Sequence, residues 1–285
     1  GSYRFQLPTT VEMPTRILGT TRQRLLMAMI LAFSFAATSN AADPIRLRVL
    51  SYNIHHAEGI DQELDLHRIA RVITDVDPDL VALQEVDRNT KRTGVVDQPT
   101  ELARLTKMNV VFGANISLQG GQYGNAILSR FPIQNHHNHL LPNIDHGEQR
   151  GVIEAQIRIP KSDERVMLMA THLDHRRDDR ERIASATAIN ELVAKDPTRP
   201  ALLAGDLNAR LNSQTLTRIR TMWSSVNEKP LPTIPVDRPV RQIDYILFRP
   251  ANRWKTIEVK VLDESIASDH RAIFADVELI PSDIQ

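Results

Sequence analysis

The stretch Pro200-Ala-Leu-Leu-Ala-Gly-Asp-Leu-Asn-Ala209 is a short apolar run that ends at a glycine and then presents a carboxylate and an amide two residues apart. In an extended strand, residues i and i+2 point to the same side, so Asp206 and Asn208 can face one point just beyond the strand. Gly, Asp and Asn are also the ordinary residues of turns, and this stretch alone fits a simple turn equally well. The rest of the chain decides between the two interpretations.

Two earlier apolar runs also end in polar side chains. Residues 45–53 end at Asn53, and residues 79–85 end at Glu85. Residues 64–73 lie between them and have the apolar spacing of a helix packed by one face. A helical crossover between two strands would place Asn53 and Glu85 on the same edge of a sheet.

The remaining segments predict one α/β domain of many short strands and few helices over residues 42–285. Helices are predicted at residues 99–108 and 183–193, and a long ordered loop at residues 211–240, where prolines collect. Further strands are predicted at residues 109–115, from 125 onwards, 151–159, 166–171, 242–248 and 268–277. The strands at 151–159 and 166–171 are predicted to form a hairpin. These strands add five polar candidates at or near their ends: Asn125, His172, Asp244, Asp269 and His270.

Composition excludes several kinds of chemistry. The chain has no cysteine, so disulfides, thiolate nucleophiles and thiolate metal sites are ruled out. Residues 1–41 hold four arginines against one glutamate, which leaves 31 basic and 34 acidic side chains in the rest. A slightly acidic body argues against broad, sequence-independent binding of nucleic acid, although a local basic groove stays open.

Residues 13–41 have the pattern of a secretory signal peptide, with arginines before an uncharged apolar run and small residues before a cleavage point at Ala42. The apolar run covers residues 25–37 and is shorter than the roughly 20 residues of a membrane span. We therefore expect an exported protein, periplasmic or extracellular, without a stable span after processing. An uncleaved anchor that holds the protein at the membrane, or a buried helix, is the alternative. Residues 1–12 precede Met13 and are interpreted as an expression-derived or upstream remnant.

The polar strand ends form an oxygen-rich set of acids and amides with two histidines. Hard oxygen ligands without thiolates favour Mg²⁺ or Mn²⁺ over zinc, and such ions suit phosphate chemistry. Asp244 lies inside an apolar strand, where an unpartnered acid costs several kcal/mol, and a histidine is a natural partner for it.

In chain order these residues resemble the motifs of the endonuclease/exonuclease/phosphatase superfamily, over about residues 45–279. The matching motifs are Ser-Tyr-Asn53, Leu-Gln-Glu85, Gly-Asn125-Ala-Ile-Leu-Ser-Arg, Thr-His172-Leu, Gly-Asp206-Leu-Asn208, Ile-Asp244-Tyr-Ile and Ser-Asp269-His270. Each motif is short, but seven in the family's order make the resemblance specific.

The resemblance implies a four-layer sandwich of two mixed β-sheets flanked by helices, with the site at one end of the sheets. It implies that Glu85 binds a divalent metal, with Asn53 and Asp269 beside or on it. Asp206, aided by Asn208, would orient or deprotonate the attacking water. His270 paired to Asp244, together with His172, would stabilise the charged transition state, and Asn125 would support the site. Either Asp206 or His270 could be the general base.

Outside these motifs, Arg150 and Arg176 lie near the candidate strands and could hold a substrate phosphate, although a solvated charged loop explains them as well. The cluster His136-His137-Asn-His139 is predicted to be a polar loop or strand and not a metal site, because strand alternation would divide its histidines between two faces.

The leading functional prediction is an exported, Mg²⁺-dependent phosphoesterase, with Mn²⁺ as the alternative ion, that cleaves a phosphodiester. Small-molecule or lipid-headgroup substrates rank above DNA or RNA, because the body is slightly acidic and aromatic residues make up only 5% of the chain. A nuclease and a catalytically silent binding module on the same fold are the alternatives. We expect a monomer whose only partner is its phosphoester substrate.

Overall fold

The apolar runs of the chain form two six-stranded sheets, in a computed structural model that describes residues 43–282. The twelve strands of these residues are β1 (Ile45–Asn53), β2 (Leu80–Arg88), β3 (Asn109–Leu118), β4 (Gly121–Ser129), β5 (Ile133–Leu140), β6 (Gly151–Arg158), β7 (Arg165–His172), β8 (Ala201–Asp206), β9 (Ser224–Ser225), β10 (Asp244–Arg249), β11 (Trp254–Val261) and β12 (Ile273–Leu279). Their α-helices are α1 (Leu66–Asp75), α2 (Gln98–Thr106), α3 (Arg180–Ala194) and α4 (Gln214–Ile219).

The first sheet has the strand order β11-β12-β1-β2-β4-β3 and the second the order β5-β6-β7-β8-β10-β9. One buried cluster contains side chains from both sheets, such as Leu47 and Ile127 of the first and Leu168 and Ile246 of the second, so the sheets pack face to face. A second cluster joins the first sheet to α1 and α2, and a third joins the second sheet to α3 and α4. The predicted four-layer sandwich of two mixed sheets flanked by helices is confirmed.

Each sheet contains one parallel pair, and these two pairs position the site. β1 and β2 are parallel, with Asn53 opposite Gln84, and α1 is the crossover between them. β7 and β8 are parallel, with His172 opposite Asp206, and α3 is the crossover. Because parallel strands end on the same edge of a sheet, each crossover brings two polar strand ends together. The prediction made for Asn53 and Glu85 from the helix between their strands is confirmed.

Three details of the predicted elements are wrong. The predicted loop at residues 211–240 contains α4, which is too short to show a helical period but begins at a Ser213 side chain that accepts from the backbone N–H of Leu216. The strand predicted from residue 125 begins at Gly121, and strand β11 was not predicted because its outer positions are charged or half-exposed. The prediction of a polar loop or strand at His136–His139 agrees with the structure, since the cluster lies on β5, where His137 and His139 share a face with ring centroids 4.4 Å apart and His136 lies on the other face.

The predicted signal-peptide segment, residues 13–41, and the residues before it lie outside the described residues, so these interpretations stay predictions. Among residues 43–282, no helix combines the length and apolar character needed to cross a bilayer.

Candidate active site

The ends of the two parallel pairs meet at the side chain of Asn53. Its Nδ2 lies 3.0 Å from Oε1 of Glu85 and 3.2 Å from Oδ2 of Asp206, so one carboxamide donates to a carboxylate from each sheet. Its Oδ1 accepts from the backbone N–H of His55 at 3.1 Å. Asn53 is fully buried and is therefore fixed between the two acids.

Glu85 reaches the site through an irregularity in β2. Its φ of 57° lies in the left-handed region, and the pairing of β2 with β4 shifts register between Leu83 and Val86. A bulge of this kind redirects one side chain out of the regular alternation. The strained backbone at Glu85 thus directs its carboxylate away from the core and into the cavity.

The turn after β8 positions Asp206 and Asn208. Oδ1 of Asp206 accepts from the backbone N–H of Asn208 at 2.9 Å, and Asn208 has a φ of 46°, which a short amide side chain tolerates. Gly205 precedes them because a Cβ at this position would lie 1.9 Å from the carbonyl oxygen of Thr171 on β7. The stretch therefore forms the turn that its residues allow, and this turn directs the side chains of Asp206 and Asn208 to the cavity.

His270 is held by two carboxylates. Its Nδ1 lies 2.9 Å from Oδ2 of Asp244, and its Nε2 lies 3.6 Å from Oδ2 of Asp206. Burial alone would lower the pKa of His270, but the charges of Asp244 and Asp206 outweigh it and raise the pKa to about 10. The hydroxyl of Thr233 also donates to Oδ2 of Asp244, at 2.5 Å. The site therefore holds His270 as a cation at neutral pH.

Asp206 is buried between other polar groups. Burial, followed by the nearby carboxylate of Asp244, raises the pKa of Asp206 to about 7. Its Oδ2 lies 3.3 Å from Nε2 of His172. A carboxyl group with a pKa in this range can accept a proton near neutral pH.

His172 is neutral and its orientation is fixed by Arg150. Burial lowers the pKa of His172 well below its usual value, and the charge of Arg150 adds to the effect. A guanidinium can only donate, so Nη1 of Arg150, 3.1 Å from Nδ1 of His172, makes that nitrogen an acceptor. The ring proton of His172 then lies on Nε2, which faces Asp206. The side-chain nitrogen Nδ2 of Asn208 lies 3.1 Å from the same Nε2 and donates to the carbonyl of Leu173.

Arg150 is buried at the wall of the site, with 3% of its surface exposed. It lies 2.9 Å from Glu148 and 3.2 Å from Nδ1 of His175, in addition to its contact with His172. Arg150 therefore places a fixed positive charge beside the catalytic candidates.

These groups surround one cavity of about 360 Å³. Its lining residues are His55, Glu85, Tyr123, Glu148, Arg150, His172, His175, Asp206, Asn208, Asp269 and His270. Seven of the eleven sequence candidates line this cavity, and two more, Asn53 and Asp244, bind lining residues directly from behind.

The two other candidates do not reach the cavity lining. The guanidinium of Arg176 binds Asp174 at 2.9 Å and Glu181 at 2.6 Å, and Arg176 is not among the residues that line this cavity. Asn125 is buried and donates to the carbonyl of Gly151 at 3.1 Å, a contact in the layer behind the site. It therefore supports the strand next to Arg150.

Sequence reasoning missed Thr233 and Ser268. The Ser268 hydroxyl donates to the carbonyl of Asn53 at 2.7 Å and accepts from the backbone N–H of His270 at 3.2 Å, which ties the His270 loop to β1. Hydroxyl side chains in loops give no sequence signal of such contacts. The position of Ser268 directly before Asp269 and His270 was the only available indication.

The oxygen ligands of the cavity fit a divalent cation. Within residues 43–282, neither Glu85 nor Asp269 forms an ion pair with an arginine or lysine, although both carboxylates line the cavity. Two carboxylates without a cationic partner, beside the carboxamide of Asn53, form the hard donor set that Mg²⁺ or Mn²⁺ prefers. Asp206, Asp244 and His270 also lie close enough to bind an ion, but Oδ2 of Asp244 already contacts both Nδ1 of His270 and the hydroxyl of Thr233, and only its Oδ1 has no partner among the described residues.

Comparison with known proteins agrees with this geometry. The sequence profile of the Endonuclease/Exonuclease/phosphatase family matches residues 50–270. The Uncharacterized protein YbhP of Escherichia coli (strain K12) is 26% identical over 246 residues, which cover 81% of this chain and 96% of that protein. The 5'-tyrosyl-DNA phosphodiesterase of Caenorhabditis elegans is 29% identical over 189 residues, which cover 63% of this chain and 48% of that protein. The crystal structure of the endonuclease/exonuclease/phosphatase from Beutenbergia cavernae DSM 12333 superposes with a TM-score of 0.74 at 26% identity, and covers 84% of this chain and 73% of that one.

Proposed function

Because the chain belongs to the Endonuclease/Exonuclease/phosphatase family, and is therefore a divalent-metal-dependent hydrolase of phosphoester bonds, we propose that it uses Mg²⁺ to hydrolyse a phosphodiester. The observation that carries this proposal is the convergence of Glu85, Asp206, His270 and Arg150 on one cavity. Acids from both sheets, a cationic histidine and a buried guanidinium meet there within the volume of a small-molecule site.

In this proposal Glu85 and Asp269 hold the cation, and Asn53 fixes Glu85 by its 3.0 Å hydrogen bond. A bound Mg²⁺ would neutralise charge on the phosphate oxygens and stabilise the charge that develops during attack. Mn²⁺ has the same preference for oxygen ligands and is the alternative ion.

Asp206 is the proposed general base. His270 is bound by Asp244 on one nitrogen and faces Asp206 with the other, so it is held protonated and has no free lone pair to accept a proton. Asp206 has a raised pKa and can take the proton of a water molecule placed against the phosphorus. Asn208, at the same turn, fixes the carboxyl group of Asp206 by the hydrogen bond that its backbone N–H donates to Oδ1.

His270 and Arg150 supply positive charge where the phosphate becomes more negative. His270 is cationic because of its two acidic neighbours, and Arg150 is cationic at any physiological pH. His172 is neutral and contributes a hydrogen bond from Nε2 in place of a charge. The three side chains are fixed before substrate binds, which is the condition for strong electrostatic stabilisation.

A small diester is the preferred substrate class. The body after residue 41 is slightly acidic, and the cavity of about 360 Å³ suits a phosphate group with a modest leaving group. The test is to compare bis-p-nitrophenyl phosphate with p-nitrophenyl phosphate in Mg²⁺. We expect faster turnover of the diester; preference for the monoester would overturn the diester assignment.

A nucleic-acid phosphodiesterase is the second candidate, and one groove favours it. A groove of about 590 Å³ is lined by Arg210, Arg220 and Arg241, and Arg210 follows Asn208 by two residues. None of these arginines forms an ion pair with an acid within the described part of the chain, so the groove can attract further phosphates. Cleavage of short DNA or RNA that weakens in the triple variant R210Q/R220Q/R241Q, with bis-p-nitrophenyl phosphate turnover unchanged, would favour this candidate.

A catalytically silent binding module is the remaining alternative. It predicts no turnover of any phosphoester with Mg²⁺ or Mn²⁺, and no effect of Glu85→Gln. The intact acids and His270 of the cavity argue against it, because a scaffold without catalysis has no need to bury such costly charges together.

We also propose that the protein is exported and acts as a monomer. Export rests on the pattern of residues 13–41 alone. N-terminal sequencing of the mature protein from its native host should begin at Ala42, and a full-length cytoplasmic chain would contradict export. Light scattering of the mature protein should give the mass of one chain.

A further inference from the structure

His55 and His56 form a turn directly after β1, beside Glu85. A ring nitrogen of each histidine and a carboxylate oxygen of Glu85 all lie within 4.8 Å of one another. Ligand atoms at about 2.0–2.2 Å from a tetrahedral zinc ion lie roughly 3.3–3.6 Å apart, so side-chain movements of up to about 1.5 Å would bring the three onto one ion. The hydrolytic scheme proposed above uses neither histidine.

The ring of His55 is oriented as a metal ligand would be. Its Nδ1 lies 3.0 Å from the carbonyl oxygen of Glu58 and donates to it. This contact fixes the tautomer and leaves Nε2 with a free lone pair. Histidines that bind metals usually donate their second nitrogen to a backbone carbonyl or a carboxylate in this way.

His56 offers a buried nitrogen without a partner. The residue is 8% exposed, and its Nδ1 has no hydrogen-bond partner among the described residues. Its Nε2 faces the carboxylate of Glu58 at 3.6 Å. A buried polar atom left unpaired destabilises the fold, and a bound cation would remove that penalty.

The backbone holds both rings in a strained position. Three consecutive non-glycine residues, His55, His56 and Ala57, have φ values of 45°, 44° and 66°. The strain is maintained by Gln98, whose Nε2 donates to the carbonyl of His56 at 2.7 Å, and by the contact of Asn53 with the N–H of His55. Left-handed conformations at non-glycine residues are strained and concentrate at functional sites.

We propose that His55, His56 and Glu85 bind a second divalent cation, a borderline transition metal such as Zn²⁺, beside the oxygen-ligated cation of the proposed function. Imidazole nitrogens favour Zn²⁺ and Co²⁺, whereas Mg²⁺ prefers oxygen, so the two positions select different ions. Glu85 can serve both, because only Oε1 accepts from Asn53. Arg92 is the nearby cation, and its charge is balanced by Asp87 at 2.7 Å. The inference shares Glu85 with the proposed function but does not need turnover for its test.

The test is a titration of the chelator-treated protein with Co²⁺, followed by visible absorption. Co²⁺ bound by two imidazoles in a site of low coordination number absorbs far more strongly than Co²⁺ held by oxygen ligands alone. We expect a strong band that persists in excess Mg²⁺. His55→Gln and His56→Gln should each weaken this binding roughly tenfold or more, while His67→Gln, at an exposed histidine on α1, should leave it unchanged.

Circular dichroism should show that the variants are folded, and the half-exposed His55 makes H55Q the safer of the two. Equal Co²⁺ affinity and absorption in the wild type, H55Q and H56Q would overturn the proposal, as would a wild-type spectrum typical of oxygen ligands. Strong Co²⁺ absorption in a protein that hydrolyses no phosphoester would leave this site standing and overturn the proposed function. Mg²⁺-dependent hydrolysis by a protein that shows no strong Co²⁺ absorption would overturn the second cation site and leave the proposed function standing.

Discussion

Asp206 and Asp244 are direct partners in the antiparallel register of β8 and β10, and the ring of His270 contacts both carboxylates. Its Nδ1 lies 2.9 Å from Asp244 and its Nε2 3.6 Å from Asp206. Two like charges on neighbouring strands repel each other, and the cationic ring between them offsets this repulsion. The arrangement separates the roles of the two acids, because Asp244 fixes the ring and Asp206 faces the cavity.

Asp244→Asn should lower kcat by on the order of 10²-fold while leaving KM within a few-fold. The amide removes the charge that holds His270 protonated, so the pKa of His270 should fall toward its usual range. Steady-state kinetics, together with an NMR titration of the His270 ring, measures both effects. An unchanged kcat, or an unchanged histidine titration, would show that Asp244 does not set the state of His270.

Asp206→Asn should abolish most activity yet raise the free energy of unfolding at neutral and alkaline pH. The folded-state pKa of Asp206, about 7, lies above its unfolded value of 3.8. Asp206 therefore contributes most to stability below pH 3.8, and this contribution is lost as pH rises to 7. In chelator, the variant should gain at least about 1 kcal/mol over the wild type between pH 4 and pH 8. Parallel stability curves for the two proteins across this pH range would contradict the assignment.

Gly205→Ala should destabilise the protein by about 2 kcal/mol or more and lower turnover. The added Cβ would lie 1.9 Å from the carbonyl oxygen of Thr171 on the neighbouring strand β7. Gly205 directly precedes Asp206, so a shift of the backbone there would also move the Asp206 carboxyl group. Urea unfolding measures the loss of stability. Gly94→Ala is the control, because a Cβ at Gly94 would have no atom within 4 Å. Its φ of 71° is left-handed, so we expect a smaller loss of stability there from backbone strain alone. Equal stability of G205A and the wild type would show that β7 can move away.

Arg150→Lys should reduce kcat/KM about tenfold. The guanidinium donates to both His172 and His175 from a fixed plane, and a lysine ammonium cannot reproduce both contacts while facing the cavity. As a matched control, Arg176→Lys should change kcat/KM little, because Arg176 pairs with Asp174 and Glu181 outside the cavity. A larger loss in the Arg176 variant than in the Arg150 variant would reverse the two assignments.

The sequence predicts the framework of the site well, because seven short motifs with polar side chains at or near strand ends occur together in one chain, whereas a single polar strand end fits a turn equally well. Asp244 was identifiable by itself, since an acid inside a strand needs a partner. The left-handed turn at Glu85 could not be predicted, because the bulge arises from the pairing of β2 with β4. The role of Thr233 depends on how a proline-rich loop folds over β10, and no local pattern encodes it.

Arg176 is a candidate residue whose role the sequence could not decide. Its position near His172 left a substrate contact open beside a solvated charged loop, and Asp174 and Glu181, within five residues of it, bind its guanidinium locally. Short-range ion pairs of this kind compete with any role at a distance. Only the three-dimensional structure separates Arg176 from Arg150, which lines the cavity from the loop residue directly before β6.

The most direct test of the central claim is the rate of bis-p-nitrophenyl phosphate hydrolysis by wild-type protein and Glu85→Gln, after chelator treatment and on return of Mg²⁺. We predict that the wild type is inactive in chelator and recovers fully with Mg²⁺, and that E85Q stays at least about 10²-fold slower and needs more Mg²⁺. Equal rates for the two proteins at every Mg²⁺ concentration, or full activity in chelator, would contradict a metal-dependent site at Glu85.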